Sequence, residues 1–133
     1  MKRYLLDTSA LLTLRDDEPG ADRVAGLLAE ARRRGAACLR CFISLMEVLY
    51  RVWKDEGEHA GRLAYEQCLA LPIEWVQESR ELLEAAAALK ATHSLSLADA
   101  WIAAAAVFHG AILVHKDPKF AGVPVDQEAL PYR

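Results

Sequence analysis

The chain has 133 residues, of which 53% are hydrophobic and 26% are charged, and its formal net charge at pH 7 is -3. This length favours one domain over residues 1–133 with a sizeable core, and the composition excludes an intrinsically disordered chain. The small negative charge excludes a globally basic nucleic-acid-binding protein, so contact with a polyanion would need a local basic patch or bound cations.

Hydropathy predicts no membrane segment. The longest apolar run, residues 100–108, is too short to cross a bilayer. An acid at Asp7 precedes any apolar run long enough for a secretory leader. We therefore expect a soluble protein that resides in the cytoplasm and has no membrane partner.

Short apolar runs alternate with helical patterns along the whole chain. Strands are predicted over residues 4–6, 37–43, 73–76 and 111–114, with a last edge strand over 123–125. Helices are predicted between these strands. The first covers residues 9–15, the second ends at Gly35, and the third starts at Ser44. The fourth ends near residues 71–72, the fifth covers 81–92, and the sixth ends near 109–110. Strands separated by helices predict a three-layer α/β/α fold around a central parallel sheet of four to five strands.

The three cysteines do not predict a disulfide framework, since their number is odd. Cys38 and Cys41 form a C-x-x-C pair inside the predicted second strand. Residues three apart on a strand point to opposite faces, so these thiols cannot share a metal ion. Buried, reduced core cysteines are the better interpretation.

Four acids come just after a predicted strand or in the first turn of a helix: Asp7, Glu47, Asp99 and Asp117. The carboxyl ends of parallel strands meet at one edge of a sheet, and ligands of open α/β folds bind at that edge. We therefore ask whether these acids form one site.

Each acid also has a structural explanation, and taken singly that explanation is the stronger one. Asp7 can cap the first helix, and Glu47 can pair with Arg51. Glu47 and Asp99 also match capping boxes, Ser44-x-x-Glu47 and Ser96-x-x-Asp99. Asp117 can be an N-cap before Pro118.

Asp99 weakens the structural explanation. Its helical neighbours Ile102, Ala103 and Ala106 are apolar, and the sequence supplies no obvious buried arginine or lysine beside it. A buried carboxylate needs a partner or a shifted pKa, and a cluster of carboxylates needs a cation. Oxygen ligands suit Mg²⁺ or Mn²⁺, which indicates phosphoryl chemistry.

The order of four motifs resembles the PIN domain family and, within it, the VapC-like toxin ribonucleases. The resemblance covers nearly the whole chain. The motifs are Asp7-Thr8-Ser9-Ala10-Leu11, Ser44-Leu45-Met46-Glu47-Val48, Ser96-Leu97-Ala98-Asp99-Ala100-Trp101-Ile102-Ala103-Ala104 and Leu113-Val114-His115-Lys116-Asp117-Pro118-Lys119-Phe120. One departure is His115, because members of the family often carry Thr or Ser at that position.

The resemblance implies a metal-dependent endoribonuclease that acts as the toxin of a toxin–antitoxin pair. Asp7, Glu47, Asp99 and Asp117 would be the catalytic acids and would hold Mg²⁺ or Mn²⁺, while Ser9 or Thr8 would support the site by hydrogen bonding. The cleavage products would carry a 5′-phosphate and a 3′-hydroxyl. The family also implies an RNA substrate, a homodimer and a VapB-like antitoxin.

Basic residues near the acids are candidates for contacts with phosphate groups: Arg51, Lys116 and Lys119. Each is explained equally well as a solvated surface charge. None of the four histidines is assigned to catalysis. Trp53, Trp75 and Trp101 are predicted to lie in the core rather than to stack on bases.

Two other classes of function compete with the nuclease. A non-catalytic PIN-like module would bind RNA or protein without cleaving it, and a missing acid would indicate that class. A phosphotransfer protein would also place an acid after its first strand. The aspartate-nucleophile phosphatase pattern needs a second Asp where this chain has Ser9, so it fits poorly.

Overall fold

Five parallel strands form one sheet in residues 1–132, the part of the chain that this computed structural model describes. Across the sheet the strands lie in the order 3-2-1-4-5. The strands are β1 (Lys2–Leu6), β2 (Ala36–Cys41), β3 (Glu74–Val76), β4 (Ile112–His115) and β5 (Gln127–Ala129). The predicted parallel sheet of four to five strands is therefore confirmed, with five strands.

Helices cover both faces of the sheet. They are α1 (Thr8–Arg15), α2 (Ala21–Arg32), α3 (Phe42–Glu56), α4 (Glu58–Leu69), α5 (Arg80–Thr92) and α6 (Leu97–Phe108), followed by a 3₁₀ helix over Pro118–Phe120. Leu6 packs with α1 to α4 in one apolar layer, whereas Leu5 packs with α5 and α6 in the other. Successive side chains of β1 point to opposite faces of the sheet, so this strand contributes to both apolar layers of the predicted three-layer α/β/α fold.

The predicted carboxyl end of the second strand is wrong. β2 ends at Cys41, and Phe42 and Ile43, which were expected in that strand, form the first turn of α3. Phe42 instead makes an edge-on contact with Trp101, with ring centroids 5.1 Å apart. An apolar run alone does not separate a buried strand from the first turn of a buried helix.

The expected edge strand over 123–125 is also wrong, because the last strand is β5. The N–H of Val123 bonds to the carbonyl of Phe120, and the N–H of Val125 bonds to the carbonyl of Val123. These tight turns hold both valines against the apolar layer of α5 and α6, so their hydrophobicity reflects packing.

The cysteine prediction is confirmed, and two of the tryptophan predictions are not. Cys38 and Cys41 lie in opposite apolar layers, and burial raises the pKa of each thiol to about 11. Trp53 and Trp75 are 40% and 41% exposed rather than in the core. Arg62 lies over the ring of Trp53, and the buried Arg40 lies over the ring of Trp75, so one face of each ring packs against a guanidinium. No helix within residues 1–132 is long and apolar enough to cross a membrane.

Gly61 allows α3 and α4 to approach each other closely. We therefore expect Gly61→Ala and Gly26→Ala to change the free energy of unfolding in opposite directions. A Cβ at Gly61 would lie 2.8 Å from both the Leu49 carbonyl oxygen and the Trp53 Cβ. Gly61→Ala should lower the free energy of unfolding by about 1–3 kcal/mol through overpacking. Gly26→Ala, in α2 with nothing within 4 Å of the new Cβ, should raise it by about 0.5–1 kcal/mol through helix propensity. Urea unfolding of both variants checks this, and equal effects would contradict the assigned packing.

Candidate active site

Asp7 lies between β1 and α1, at the carboxyl edge of the sheet. It is 3% exposed, and its Oδ1 accepts hydrogen bonds from the Ala10 N–H at 2.9 Å and the Ser9 hydroxyl at 2.6 Å. The predicted cap is therefore present. It uses one carboxylate oxygen, and no donor within residues 1–132 reaches Oδ2.

Burial raises the pKa of Asp7 to about 7. The hydrogen bonds from Ser9 and Ala10 act against burial, whereas the negative charge of Asp99 raises the pKa further. The shift therefore reflects mainly the removal of the Asp7 carboxylate from water.

Glu47 reaches the same edge from the second turn of α3. It is 6% exposed, its Oε1 accepts a 2.6 Å hydrogen bond from Thr8, and its Oε2 lies 3.1 Å from Nη2 of Arg51. The predicted pair with Arg51 is thus present. The predicted capping box is absent, because Cys41 is the N-cap of α3 and makes no side-chain capping bond. Ser44 is buried inside the helix, with its Oγ 3.1 Å from the Thr8 hydroxyl.

Asp99 is 4% exposed in the first turn of α6. The Ser96 hydroxyl accepts a hydrogen bond from the Asp99 N–H at 3.2 Å and donates one to Asp99 Oδ2 at 2.8 Å. Lys119 Nζ lies 2.8 Å from the same Oδ2. The sequence does not reveal this partner, because Lys119 is an exposed residue of the 3₁₀ helix after β4 rather than a buried neighbour of Asp99 in the chain. No donor within the described chain reaches Oδ1.

Asp117 follows β4, and its side chain is about a third exposed, at 34%. Its Oδ1 accepts the Lys119 N–H at 3.0 Å, which is the predicted N-cap ahead of Pro118. Lys119 Nζ lies 3.1 Å from Oδ2. Burial would raise the pKa of Asp117, but the hydrogen bonds and charge of Lys119 outweigh it and hold that pKa below its usual value.

These contacts link the acids at the carboxyl edge through their neighbours. Lys119 bridges Asp99 and Asp117, and the charge of Asp99 acts on Asp7. In this arrangement, no three His, Cys, Asp or Glu side chains among residues 1–132 are grouped closely enough to hold a metal ion. A single metal site formed by all four acids therefore stays a prediction.

The two predicted supporting hydroxyls both contact the acids. Thr8 donates to Glu47, whereas Ser9 donates to Asp7 and accepts the Lys116 N–H at 3.0 Å. Ser9 therefore ties the end of β1 to the end of β4.

The basic residues predicted to contact phosphate are each paired with an acid. Arg51 binds Glu47, Lys119 binds Asp99 and Asp117, and Lys116 Nζ lies 3.5 Å from Glu18. Arg51 and Lys119 also line an open cleft of about 560 Å³ beside Glu47.

Gln127 supports the fourth acid, and sequence analysis missed it. His115 Nδ1 accepts the Asp117 N–H at 3.0 Å, and His115 Nε2 donates to Gln127 Oε1 at 2.9 Å. The Gln127 amide then donates to the carbonyls of Phe120 and Val123 at 2.8 and 3.3 Å. His115 and Gln127 thus fix the turn that carries Asp117 and Lys119. A single glutamine outside every predicted element gives no sequence signal for this role.

Gln127→Leu should loosen residues 116–123, because it leaves the buried Nε2–H of His115 without an acceptor, at a cost of about 1–3 kcal/mol. Hydrogen exchange of the Asp117 and Lys119 amides should accelerate, while exchange in β1 stays unchanged. The exposed neighbour variant Asp126→Asn is the matched control. Unchanged exchange in Gln127→Leu would contradict the assigned support.

The raised pKa of Asp7 predicts a pH-dependent stability in metal-free buffer. The folded chain binds this proton more tightly than the unfolded chain, in which the pKa is near 3.8. The stability that Asp7 contributes is therefore complete below about pH 4 and is lost as the pH rises through about 7. Asp7→Asn, which keeps a good N-cap residue, should gain melting temperature relative to wild type from about pH 5 to pH 8.

Thermal melts in EDTA measure this difference. Asp22→Asn, an exposed acid in the first turn of α2, should keep a constant difference from wild type over the same range. A constant difference for Asp7→Asn as well would show that Asp7 is not perturbed.

Comparison with known proteins shows the family to which the chain belongs. The sequence profile of the PIN domain matches residues 4–125. No curated protein matches the chain by sequence. Similar solved structures include VapBC2 from Rickettsia felis, crystallised with a DNA fragment from its promoter, at 20% identity and a TM-score of 0.78, covering 97% of this chain and 99% of that one.

Two further structures are similar over almost their full length. The DNA-bound VapBC of Salmonella typhimurium has 18% identity and a TM-score of 0.76, covering 97% of this chain and 98% of that one. Mycobacterium tuberculosis VapC20, described as a toxin that cleaves the sarcin-ricin loop, has 17% identity and a TM-score of 0.74, covering 96% and 99%. At these identities the likeness shows the fold. Together with the profile match, it confirms the family indicated by the four motifs: the chain belongs to the PIN domain family.

Proposed function

We propose that this chain is a metal-dependent endoribonuclease and the toxin of a toxin–antitoxin pair. The observation that carries the proposal is the burial of Asp7, Glu47 and Asp99 at one edge of the sheet, where the pKa of Asp7 is raised. A fold that needed these acids only as caps would leave them exposed, because burying a carboxylate is costly. Membership of the PIN family and the cleavage activity named for VapC20 support the same conclusion.

The donor set fits a hard divalent cation. The acids offer only oxygen ligands, and Asp7 Oδ2 and Asp99 Oδ1 have no hydrogen-bond donor among residues 1–132. Asp7, Glu47, Asp99 and Asp117 would hold Mg²⁺ or Mn²⁺, directly or through water. When bound, the cation would lower the pKa of a water molecule and stabilise negative charge on the phosphate.

The protein's own residues orient the acids before substrate arrives. Ser9 fixes Asp7, Thr8 fixes Glu47 and Ser96 fixes Asp99, each through a hydrogen bond of 2.6 to 2.8 Å. Carboxylates held in this way lose less conformational freedom during the reaction.

Binding of the RNA backbone falls to the cationic side chains beside the cleft. Arg51 and Lys119 line it, and Lys116 lies in the adjoining turn. Contacts to phosphate position a strand without reading its bases. Choice of an RNA target therefore requires additional contacts beyond these three side chains.

A VapB-like antitoxin and a second copy of this chain complete the proposal. The similar structures from Rickettsia felis and Salmonella typhimurium are VapBC assemblies by name. Large apolar side chains stay exposed beside the cleft, at Met46, Tyr50 and Leu97. Apolar surface of this kind suits a protein partner.

Two observations weigh against the non-catalytic alternative. All four acids are present, and three of them are buried. A module that bound RNA or protein without cleavage would bear the cost of burying these carboxylates without using them.

Cleavage of a mixed pool of structured RNAs by the purified protein tests the proposal. Cutting should require Mg²⁺ or Mn²⁺ and stop in EDTA. Asp7→Asn and Asp99→Asn should each lower the cutting rate by at least about 100-fold, because each removes a charged ligand oxygen from the metal site.

Asp22→Asn is the matched control, since it removes an exposed acid of α2 that belongs to none of the four motifs. It should cut like wild type. Equal, weak cutting by wild type and the Asp7 and Asp99 variants would identify a contaminating nuclease and contradict the proposal.

A further inference from the structure

Lys119 takes a position that a cation at this site would need. Its ammonium lies 2.8 Å from Asp99 Oδ2 and 3.1 Å from Asp117 Oδ2. Its charge also lowers the pKa of Asp7, against the effect of burial. One side chain thus acts on three of the four acids.

Lys119 is the only ion-pair partner of Asp99 within residues 1–132. Asp99 is almost fully buried, so its carboxylate needs a positive charge nearby. A divalent cation that used Asp99 Oδ2 would meet the ammonium at that oxygen, where two like charges repel each other strongly.

The turn is fixed, but the lysine side chain is able to leave. The backbone of residues 117–120 is held by His115, Gln127 and the Asp117 carboxylate. The Lys119 side chain is 36% exposed and lines the open cleft. Lysine carries a point charge on a flexible stem, so it can swing out without disturbing the turn.

We propose that Lys119 is the built-in counter-ion of the metal-free site, and that metal binding displaces its ammonium from Asp99 and Asp117 into the cleft. This inference rests on the proposed metal-dependent function. The lysine therefore stabilises the empty site and weakens metal binding. Once displaced, the ammonium lies on the cleft wall with Arg51, where it can bind a phosphate group.

Titration of the metal-free protein with Mn²⁺, followed by electron paramagnetic resonance of the free ion, tests the competition. Lys119→Gln should bind Mn²⁺ about ten-fold more tightly than wild type, which corresponds to about 1.4 kcal/mol. Lys119→Arg, which keeps a cation, should bind no more tightly than wild type.

Lys116→Gln is the matched control for loss of charge. It removes one positive charge from the same turn, yet Lys116 Nζ contacts Glu18 and none of the four acids. It should change Mn²⁺ affinity by less than two-fold. An equal gain in Lys116→Gln and Lys119→Gln would overturn the inference, because general charge would then explain both.

Amine labelling of the wild-type protein gives a second readout that needs no variant. Mass spectrometry should show faster acetylation of Lys119 by an N-hydroxysuccinimide ester when Mn²⁺ is present. Lys54, exposed at the end of α3, is the internal reference and should not change.

The possible failures separate the two proposals. If Mn²⁺ binds wild type and Lys119→Gln equally and labelling does not change, the counter-ion inference is wrong while metal binding stands. If Mn²⁺ binds neither protein, the proposed metal-dependent function is wrong, and the inference falls with it.

Discussion

Burial of carboxylates at the carboxyl edge of a parallel sheet is the constraint on which the rest of the site depends. β1 ends directly before Asp7, and its neighbours β2 and β4 lead to the turns and helices that carry Glu47 and Asp117. Each charge taken out of water must recover hydrogen bonds from the protein. The hydroxyls of Ser9 and Ser96 meet that need for acids two and three residues away, whereas the Thr8 hydroxyl meets it for Glu47 across 39 positions. The polar residues around the acids are therefore a consequence of placing the acids there.

Capping and site formation are compatible in this fold. Asp7 and Asp117 cap their helices through Oδ1, and Asp99 occupies the third position of a helix capped by Ser96. A cap uses one carboxylate oxygen, so the second oxygen remains able to bind something else. The structural explanations that compete with catalysis in the sequence are therefore true for these three acids and do not exclude a site. Glu47 differs, since it has no capping role and is held by Thr8 and Arg51.

Sequence patterns predict the parts of the structure that are local. The hydrophobic periodicity and the lengths of the apolar runs place β1, β2, β3 and β4 within one or two residues of their observed bounds. The four motifs place the acids next to strand ends or helix starts. Contacts between distant segments leave no such pattern. Lys119 reaches Asp99 across 20 positions, and Gln127 reaches His115 across 12. The last strand was expected at the wrong residues for a similar reason. Pairing with β4 decides which residues form β5, whereas Val123 and Val125 are apolar because they pack against the core from a turn.

The balance of charge explains why the acids do not behave alike. Glu47, Asp99 and Asp117 each contact a cation, whereas Asp7 contacts only neutral donors. Burial raises the pKa of Asp7, whereas the hydrogen bonds and charge of Lys119 outweigh burial and lower the pKa of Asp117. Asp7 is thus the point at which positive charge is lacking in the metal-free protein. An RNA phosphate would add negative charge to the same edge of the sheet, so it would be repelled until positive charge is supplied near Asp7. We therefore expect ordered binding in the proposed reaction, with the metal ion first and the phosphate second.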